Sequence, residues 1–339
     1  MVKIDNLEKE LKNGELRSIY LFYGEETFLL ESCTKKIRKL FGQTIEGINY
    51  ISIDETNYQQ LITNIETPAF GYNKKLIMVK NTGLFKKEGK KKDTYLEEYK
   101  NRLCKYIESN IEVINKYVLL VFVEQDIEKS DLYKIIEEYG IICNFEKQKP
   151  MQIAKRIKAI CNAYKVSIDD KTLMYLIEAC GTNMQSLINE IRKLIEYSGE
   201  NGTITIQDIN NISIKQIDSV IFDLTDSLGK RDVNTAIEVL NNLEYKKEPL
   251  PKILITLYNH FKKLYIIRIA EEYNKDIAES LNLKPNQMFL INKYKSQASL
   301  FNTQELRNIM QQLIDLDSNY KIGIIDIKTG LEIIFLFLY

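Results

Sequence analysis

The sequence predicts an α/β domain followed by two regions built only of helices. In residues 1–145, short apolar runs of strand length alternate with helical patterns. The strongest runs are continuously apolar, which is typical of parallel strands that are covered on both faces. After Pro150 the apolar residues recur at helical spacing. The length of 339 residues suits two or three domains.

The predicted strands of the first domain alternate with predicted helices. The strands are Arg17–Tyr23, Ile48–Ile53, Lys75–Lys80, Tyr117–Glu124 and Gly140–Phe145, and the helices are Phe28–Phe41, Tyr58–Ile65, Leu96–Asn115 and Lys129–Tyr139. This alternation predicts a mostly parallel sheet whose crossover helices cover its faces.

The rest of the chain is predicted to be helical. A small bundle over residues 148–212 has helices that end at Gly181 and Gly199. The predicted helices of residues 213–339 are Val220–Leu228, Val233–Leu243, Pro251–Tyr273, Lys275–Leu281, Gln287–Tyr294, Thr303–Lys321 and Ile325–Phe337. The predicted domains are therefore 1–147, 148–212 and 213–339.

Composition narrows the class of protein. The 47 basic and 47 acidic side chains give a net charge of zero, so bulk charge does not hold nucleic acid. The five cysteines form no CxxC pair, which fits a reducing, cytoplasmic location rather than a disulfide framework or a zinc site. The longest apolar stretch, Ile333–Tyr339, is far shorter than the ~20 residues of a membrane span.

The turn after the first strand lacks the residues that hold a nucleotide. A phosphate-binding loop there would read GxxxxGK[ST], but this turn has Gly24 followed by Glu25 and Glu26, with no lysine. The two carboxylates are expected to satisfy the N–H groups of the next helix and to repel phosphate. The sequence therefore predicts that the domain binds no ATP, and no cofactor is expected.

No catalytic or metal-binding constellation is recognisable elsewhere. Glu124 and Asp126 follow the fourth strand, where an ATPase would bind magnesium, but without a phosphate loop we interpret them as surface charges. The single histidine, His260, has no partner motif and is interpreted as a packing or surface residue. One alternative stays open, an NTPase that uses Glu124 or Asp126 with a degenerate loop.

The turn TPAFGY, residues 67–72, is a candidate for binding a partner. Phe70 lies among proline, glycine and small residues, so it need not face the core, and an exposed aromatic side chain on a turn can anchor a partner. The alternative is that Phe70 covers the sheet edge. A lysine run from Lys86 to Lys92 is interpreted as a solvated loop, with an acidic or nucleic-acid partner as the other reading.

Taken together, these segments resemble the delta-subunit family of the bacterial DNA polymerase III clamp loader along the whole chain. The resemblance is carried by YLFYGEETFLLES, TPAFGYNKKLIMVKN, YVLLVFVEQDIEKSDLYKIIEEYG, CGTNMQSLINEIRKLIEYSG, SVIFDLTDSLGKRDVNTAIEVL and DIKTGLEIIFLFL, in this order. It implies a first domain with an AAA+/RecA-like parallel sheet but no functional phosphate loop, then a helical lid domain and an all-α collar domain that serves oligomerisation.

The resemblance also implies a non-enzymatic role inside the DNA polymerase III holoenzyme. Such a subunit binds the sliding clamp (beta), opens its ring for loading on primed DNA, and meets the gamma/tau and delta-prime subunits through the collar. The clamp-binding pair of the family falls on Ala69 and Phe70, with Pro68 and Tyr72 beside it; alanine is smaller than the residue common there. A collar tyrosine near DNA falls on Tyr320. A helical scaffold of another DNA-associated ring assembly is the remaining alternative.

Overall fold

The structure is a computed structural model that describes residues 1–86, 94–283, 288 and 290–337. It forms two compact units, Met1–Lys147 and Gln148–Tyr339. The further division of the second unit into 148–212 and 213–339 remains a prediction.

The first unit is built on a sheet of five parallel strands in the order β2-β3-β4-β1-β5. The strands are β1 (Ile19–Tyr23), β2 (Tyr50–Ile53), β3 (Lys75–Lys80), β4 (Val118–Glu124) and β5 (Ile141–Asn144). Each lies within the run that predicts it, so the α/β fold class is confirmed.

Helices cover both faces of this sheet. They are α1 (Ile4–Lys12), α2 (Thr27–Phe41), α3 (Leu61–Glu66), α4 (Thr94–Ser109), α5 (Ile111–Tyr117) and α6 (Asp131–Tyr139). Because side chains alternate along a strand, Tyr20 and Phe22 of β1 pack in the core beside α1 and α2. Ile19 and Leu21 pack in the other core, beside α3 to α6.

Two features of this unit differ from the sequence prediction. The amphipathic helix α1 was not predicted; it buries Ile4, Leu7 and Leu11. The single helix predicted over Leu96–Asn115 is two helices, because Asn110 leaves the helical conformation with φ −123° and ψ 20°. The break reorients α5, which then leads directly into β4.

The second unit is almost entirely helical in its described residues. Its helices are α7 (Pro150–Ala163), α8 (Asp170–Cys180), α9 (Met184–Ser198), α10 (Ile206–Ile212), α11 (Ile217–Gly229), α12 (Val233–Tyr245), α13 (Leu250–Glu272), α14 (Ile277–Ser280), α15 (Ile291–Ala298), α16 (Thr303–Lys321) and α17 (Ile327–Phe337). A two-residue parallel pair, β6 (Ser167–Ile168) and β7 (Thr203–Ile204), joins the loops before α8 and α10. It was too short for the sequence pattern to reveal.

His260 lies in the core of this second unit. Its Nε2 is 2.8 Å from Oε1 of Gln297, whose Nε2 donates to the carbonyl oxygen of Phe222. The ring of Phe222 packs edge-on against the imidazole, with 4.5 Å between centroids. His260 is therefore a packing residue, which is one of the two roles predicted for it.

The described helices include none that is both long enough and apolar enough to cross a bilayer.

All five cysteines are buried free thiols. Burial raises the pKa of Cys104 to about 11 and that of Cys143 to about 12, so these thiols stay protonated.

Candidate functional site

The turn after β1 packs closely against the backbone that follows β5. Gly24 has φ +123°, and a Cβ placed on it would lie 2.5 Å from the carbonyl oxygen of Phe145. Glu26 is the N-cap residue of α2 but makes no side-chain capping bond, so the expected capping role is wrong. Glu25 instead pairs with Lys147 at 3.0 Å. This turn presents carboxylates and a backbone contact where a nucleotide site presents free N–H groups.

Glu124 is not the surface charge that the sequence suggested, because only 2% of it is exposed. Its Oε1 accepts hydrogen bonds from the backbone N–H and the hydroxyl of Thr82, at 2.9 and 2.8 Å. Its Oε2 has no hydrogen-bond partner among the described residues. Desolvation raises the pKa of this carboxyl. Sequence reasoning missed the burial because a carboxylate at a strand end is usually solvated, whereas this one holds the turn after β3.

Asp126 is exposed, as predicted. Among the described residues, no group of three histidine, cysteine or acidic side chains could hold a metal ion.

The loop from α3 to β3 contains a tight turn at Ala69–Tyr72. The N–H of Tyr72 donates to the carbonyl oxygen of Ala69 at 3.0 Å, and Gly71 has φ +76°. Since Phe70 has a negative φ, the turn has the type II pattern, which requires a positive φ at its third residue and so favours glycine there. Phe70 therefore occupies the second position, at the tip of the turn.

Phe70 projects into solvent, with 90% of the residue exposed. Pro68 is exposed, and Ala69 and Tyr72 are half-buried. The alternative that Phe70 covers the sheet edge is therefore wrong. A phenylalanine this exposed is unusual, because burying its side chain would gain about 1.5–3 kcal/mol.

Lys75 fixes the base of this turn. Its ammonium group is inside the protein, with 3% of the residue exposed, and it donates to the carbonyl oxygens of Asn64 at 3.0 Å and Thr67 at 2.6 Å. These are carbonyls at the C-terminal end of α3, where a helix leaves acceptors unpaired and favours a cation. Desolvation lowers the pKa of Lys75. This role was not predictable from the sequence, because a lysine at the start of a strand, next to another lysine, is normally solvated.

A groove of about 590 Å³ lies beside the turn, between the end of α3 and α5. We call it the side groove and define it by its apolar lining residues, Ile65, Pro68, Ala69, Tyr72, Val113, Tyr117 and Val118. Val113 and Tyr117 are 45% and 47% exposed. No motif predicted this groove, because α5 was expected to continue α4.

Tyr320 is remote in sequence from this site and lies in the last turn of α16, 41% exposed. Its neighbour in sequence, Lys321, pairs with Asp317 at 2.6 Å. Of the basic run, Lys86 is described and the lysines at 87 and 90–92 lie outside the described residues.

Comparison with a solved structure gives the class of protein to which this architecture belongs. The DNA clamp loader delta protein of Bacillus subtilis matches 99% of this chain and 99% of its own, with a TM-score of 0.69 and 23% identity. The fold is thus that of a clamp-loader delta protein. The sequence model of the DNA polymerase III delta subunit matches residues 20–145, and that of its C-terminal domain matches residues 218–338. The chain belongs to the DNA polymerase III delta subunit family.

Two curated relatives agree with this assignment. The DNA polymerase III subunit delta of Bacillus subtilis is 26% identical over 334 residues, which are 97% of this chain and 94% of the relative. The probable DNA polymerase III subunit delta of Aquifex aeolicus is 27% identical over 318 residues, 90% of this chain and 86% of the relative.

Proposed function

We propose that this chain is a non-catalytic clamp-loader subunit that binds the sliding clamp through the Phe70 turn and helps to open the clamp ring. The observation that carries the proposal is the 90% exposure of Phe70 on a turn whose base is fixed by Lys75. Membership of the delta subunit family supports a role in clamp loading. Pro68, Ala69 and Tyr72 support the anchor at its sides.

The proposed mechanism is mechanical. A protein can shift a ring from closed to open only by the difference between its affinities for the two forms. An aromatic side chain that enters a pocket of the clamp contributes about 1.5–3 kcal/mol of burial. The fixed turn limits the conformational freedom that Phe70 loses on binding, so more of this energy is available for the clamp.

The helical region 213–339 would join the gamma/tau and delta-prime subunits as a collar, and Tyr320 would approach primed DNA in the assembled complex. The protein would act in the cytoplasm. The Gly24 turn has two carboxylates and no lysine, which supports a role without ATP binding by this chain, and ATP would act through neighbouring subunits.

The proposal is tested by equilibrium binding of the purified sliding clamp. Phe70→Ala should weaken binding by about 10- to 100-fold, because each 1.4 kcal/mol is a factor of ten in affinity. Phe337→Ala is the matched control, since Phe337 is also exposed, at 76%, and lies on α17. A wild-type chain that does not bind the clamp, or equal affinities for wild type and Phe70→Ala, would show the proposal to be wrong.

A separate titration tests the NTPase alternative. Labelled ATP with magnesium should show no saturable binding to the pure chain, because Glu124 is engaged by Thr82 and the Gly24 turn has two carboxylates and no lysine. Micromolar binding would restore that alternative.

A further inference from the structure

We infer that the side groove is the second half of the clamp contact, and that it receives an apolar side chain of the clamp that lies next to an acidic residue. The inference rests on the proposed function. In this arrangement the side chain of Phe70 inserts into a pocket of the clamp, and an apolar side chain of the clamp inserts into the groove beside Phe70.

The turn alone is too small to form a stable contact with the clamp. A stable protein interface buries about 800 Å² on each partner. A phenylalanine supplies about 150–250 Å², less than about a third of that amount. The contact must therefore extend from Phe70 onto neighbouring surface.

The apolar surface next to the turn extends towards α5. Val113 and Tyr117 are four residues apart and so lie on one face of that helix, where both are about half exposed. The opposite wall of the groove is formed by Pro68, Ala69 and Tyr72, the residues that flank Phe70. A partner that covers Phe70 from this side therefore contacts the groove as well.

Both walls of the groove are held in place before a partner binds. Lys75 fixes the end of α3 through two carbonyl oxygens. Lys74 donates to the carbonyl oxygen of Asn115 at 3.3 Å, which links the entry of β3 to α5. A preformed groove requires little ordering on binding, so its apolar area contributes more to affinity.

The charges around the groove favour an acidic partner. The lysines that line the groove are Lys75 and Lys116, and Nζ of Lys116 lies 5.0 Å from the ring centroid of Tyr117. The exposed Lys74 lies beside the groove, because its Nζ donates to the carbonyl oxygen of Asn115 in α5. Among the described lining residues, Glu66 is the one carboxylate. The surplus of positive charge favours a clamp residue that pairs an apolar side chain with a neighbouring carboxylate.

The test measures affinity for the purified sliding clamp with variants of the groove. Val113→Asp and Tyr117→Ala should each weaken binding by about tenfold or more, which corresponds to the loss of one buried apolar contact. Lys116→Glu should weaken binding and reduce its dependence on salt. Tyr95→Ala is the control for Tyr117→Ala, since Tyr95 is 80% exposed at the far end of α4.

The outcomes separate this inference from the proposed function. If Phe70→Ala weakens clamp binding but the groove variants bind like wild type, the inference is wrong and the proposed function stands. If Phe70→Ala binds like wild type as well, both are wrong. If the groove variants lose binding of labelled single-stranded DNA instead of the clamp, the groove is a nucleic-acid site and the inference is again wrong. Thermal melting monitors folding; if Val113→Asp lowers the melting temperature, Val113→Ala and Tyr117→Ala decide.

Discussion

At the residue scale, the site combines an exposed apolar side chain with a buried charged one. Phe70 is 90% exposed while Lys75, five positions later, is 3% exposed. The usual preference of the two residue types is reversed. Each reversal has a local cause, because the type II turn directs Phe70 outward and the carbonyl oxygens at the end of α3 attract the ammonium group of Lys75.

Replacing Lys75 with methionine tests this pairing. Lys75→Met leaves the carbonyl oxygens of Asn64 and Thr67 without their donor, so the free energy of unfolding of the first unit should fall by about 1–3 kcal/mol. Urea denaturation followed by circular dichroism measures the loss; the chain has no tryptophan for fluorescence. Lys74→Met is the control and should change stability less, because Lys74 is exposed. Equal stability of Lys75→Met and wild type would contradict the role given to Lys75.

A second prediction at this scale concerns acid and the second unit. Burial lowers the pKa of His260 to about 3, while the unfolded chain keeps a pKa of 6.5. Above pH 6.5 His260 is neutral in both the folded and the unfolded chain, so its full contribution to folding stability is present. Below pH 6.5 only the unfolded state gains the proton, so stability falls with falling pH until about pH 3.

The size of this effect follows from linkage. Between pH 7 and pH 5, the stability of wild type relative to His260→Gln should fall by about 2 kcal/mol. Lys263 and Lys293 also face the ring and disfavour its cation. Urea denaturation of both proteins at the two pH values measures the difference, since other groups titrate alike in both. A constant difference would mean that His260 takes up its proton with the same pKa in the folded protein as in the unfolded chain.

The residues of the site were predictable to different degrees. The Pro-Ala-Phe-Gly pattern predicted that Phe70 could be exposed, because it predicts a turn and not a strand or helix. Lys75 and Glu124 were not predictable, since their burial depends on acceptors and donors that only the folded chain brings together, at Asn64, Thr67 and Thr82.

At the scale of elements, the strands were predictable because each is a short apolar run between breaks. Their order in the sheet was not, because any βα pattern of this length permits several orders. The break between α4 and α5 was also missed, since apolar spacing continues across Asn110. That break positions Val113 and Tyr117, so the side groove could not be predicted either.

The turn from β1 to α2 provides a prediction for an element. Gly24→Ala should destabilise the first unit, because the new methyl group meets the backbone of Phe145 as well as requiring φ +123°. Gly42→Ala is the matched control: its φ is +98°, but nothing lies within 4 Å of the new methyl group. In urea denaturation, the free energy of unfolding of Gly24→Ala should be lower than that of Gly42→Ala by about 1–3 kcal/mol, the usual cost of overpacking. Equal losses would contradict the close approach of Gly24 to the backbone of Phe145.

At the scale of the whole molecule, the α/β unit carries the proposed clamp contact, and the helical unit belongs to the same family of delta subunits. With no net charge, the chain has no strong general electrostatic attraction for DNA. Specific binding therefore has to come from local surfaces such as the Phe70 turn.

The central claim is that Phe70 binds the clamp in a way that favours the open ring. Its most direct test compares the affinity of this chain for the intact clamp ring and for a clamp whose subunit interface is disrupted, so that no closed ring has to be opened. We expect tighter binding to the disrupted clamp, and a loss of affinity for both forms in Phe70→Ala. Equal affinity for the two clamp forms, or binding to either that does not depend on Phe70, would contradict it.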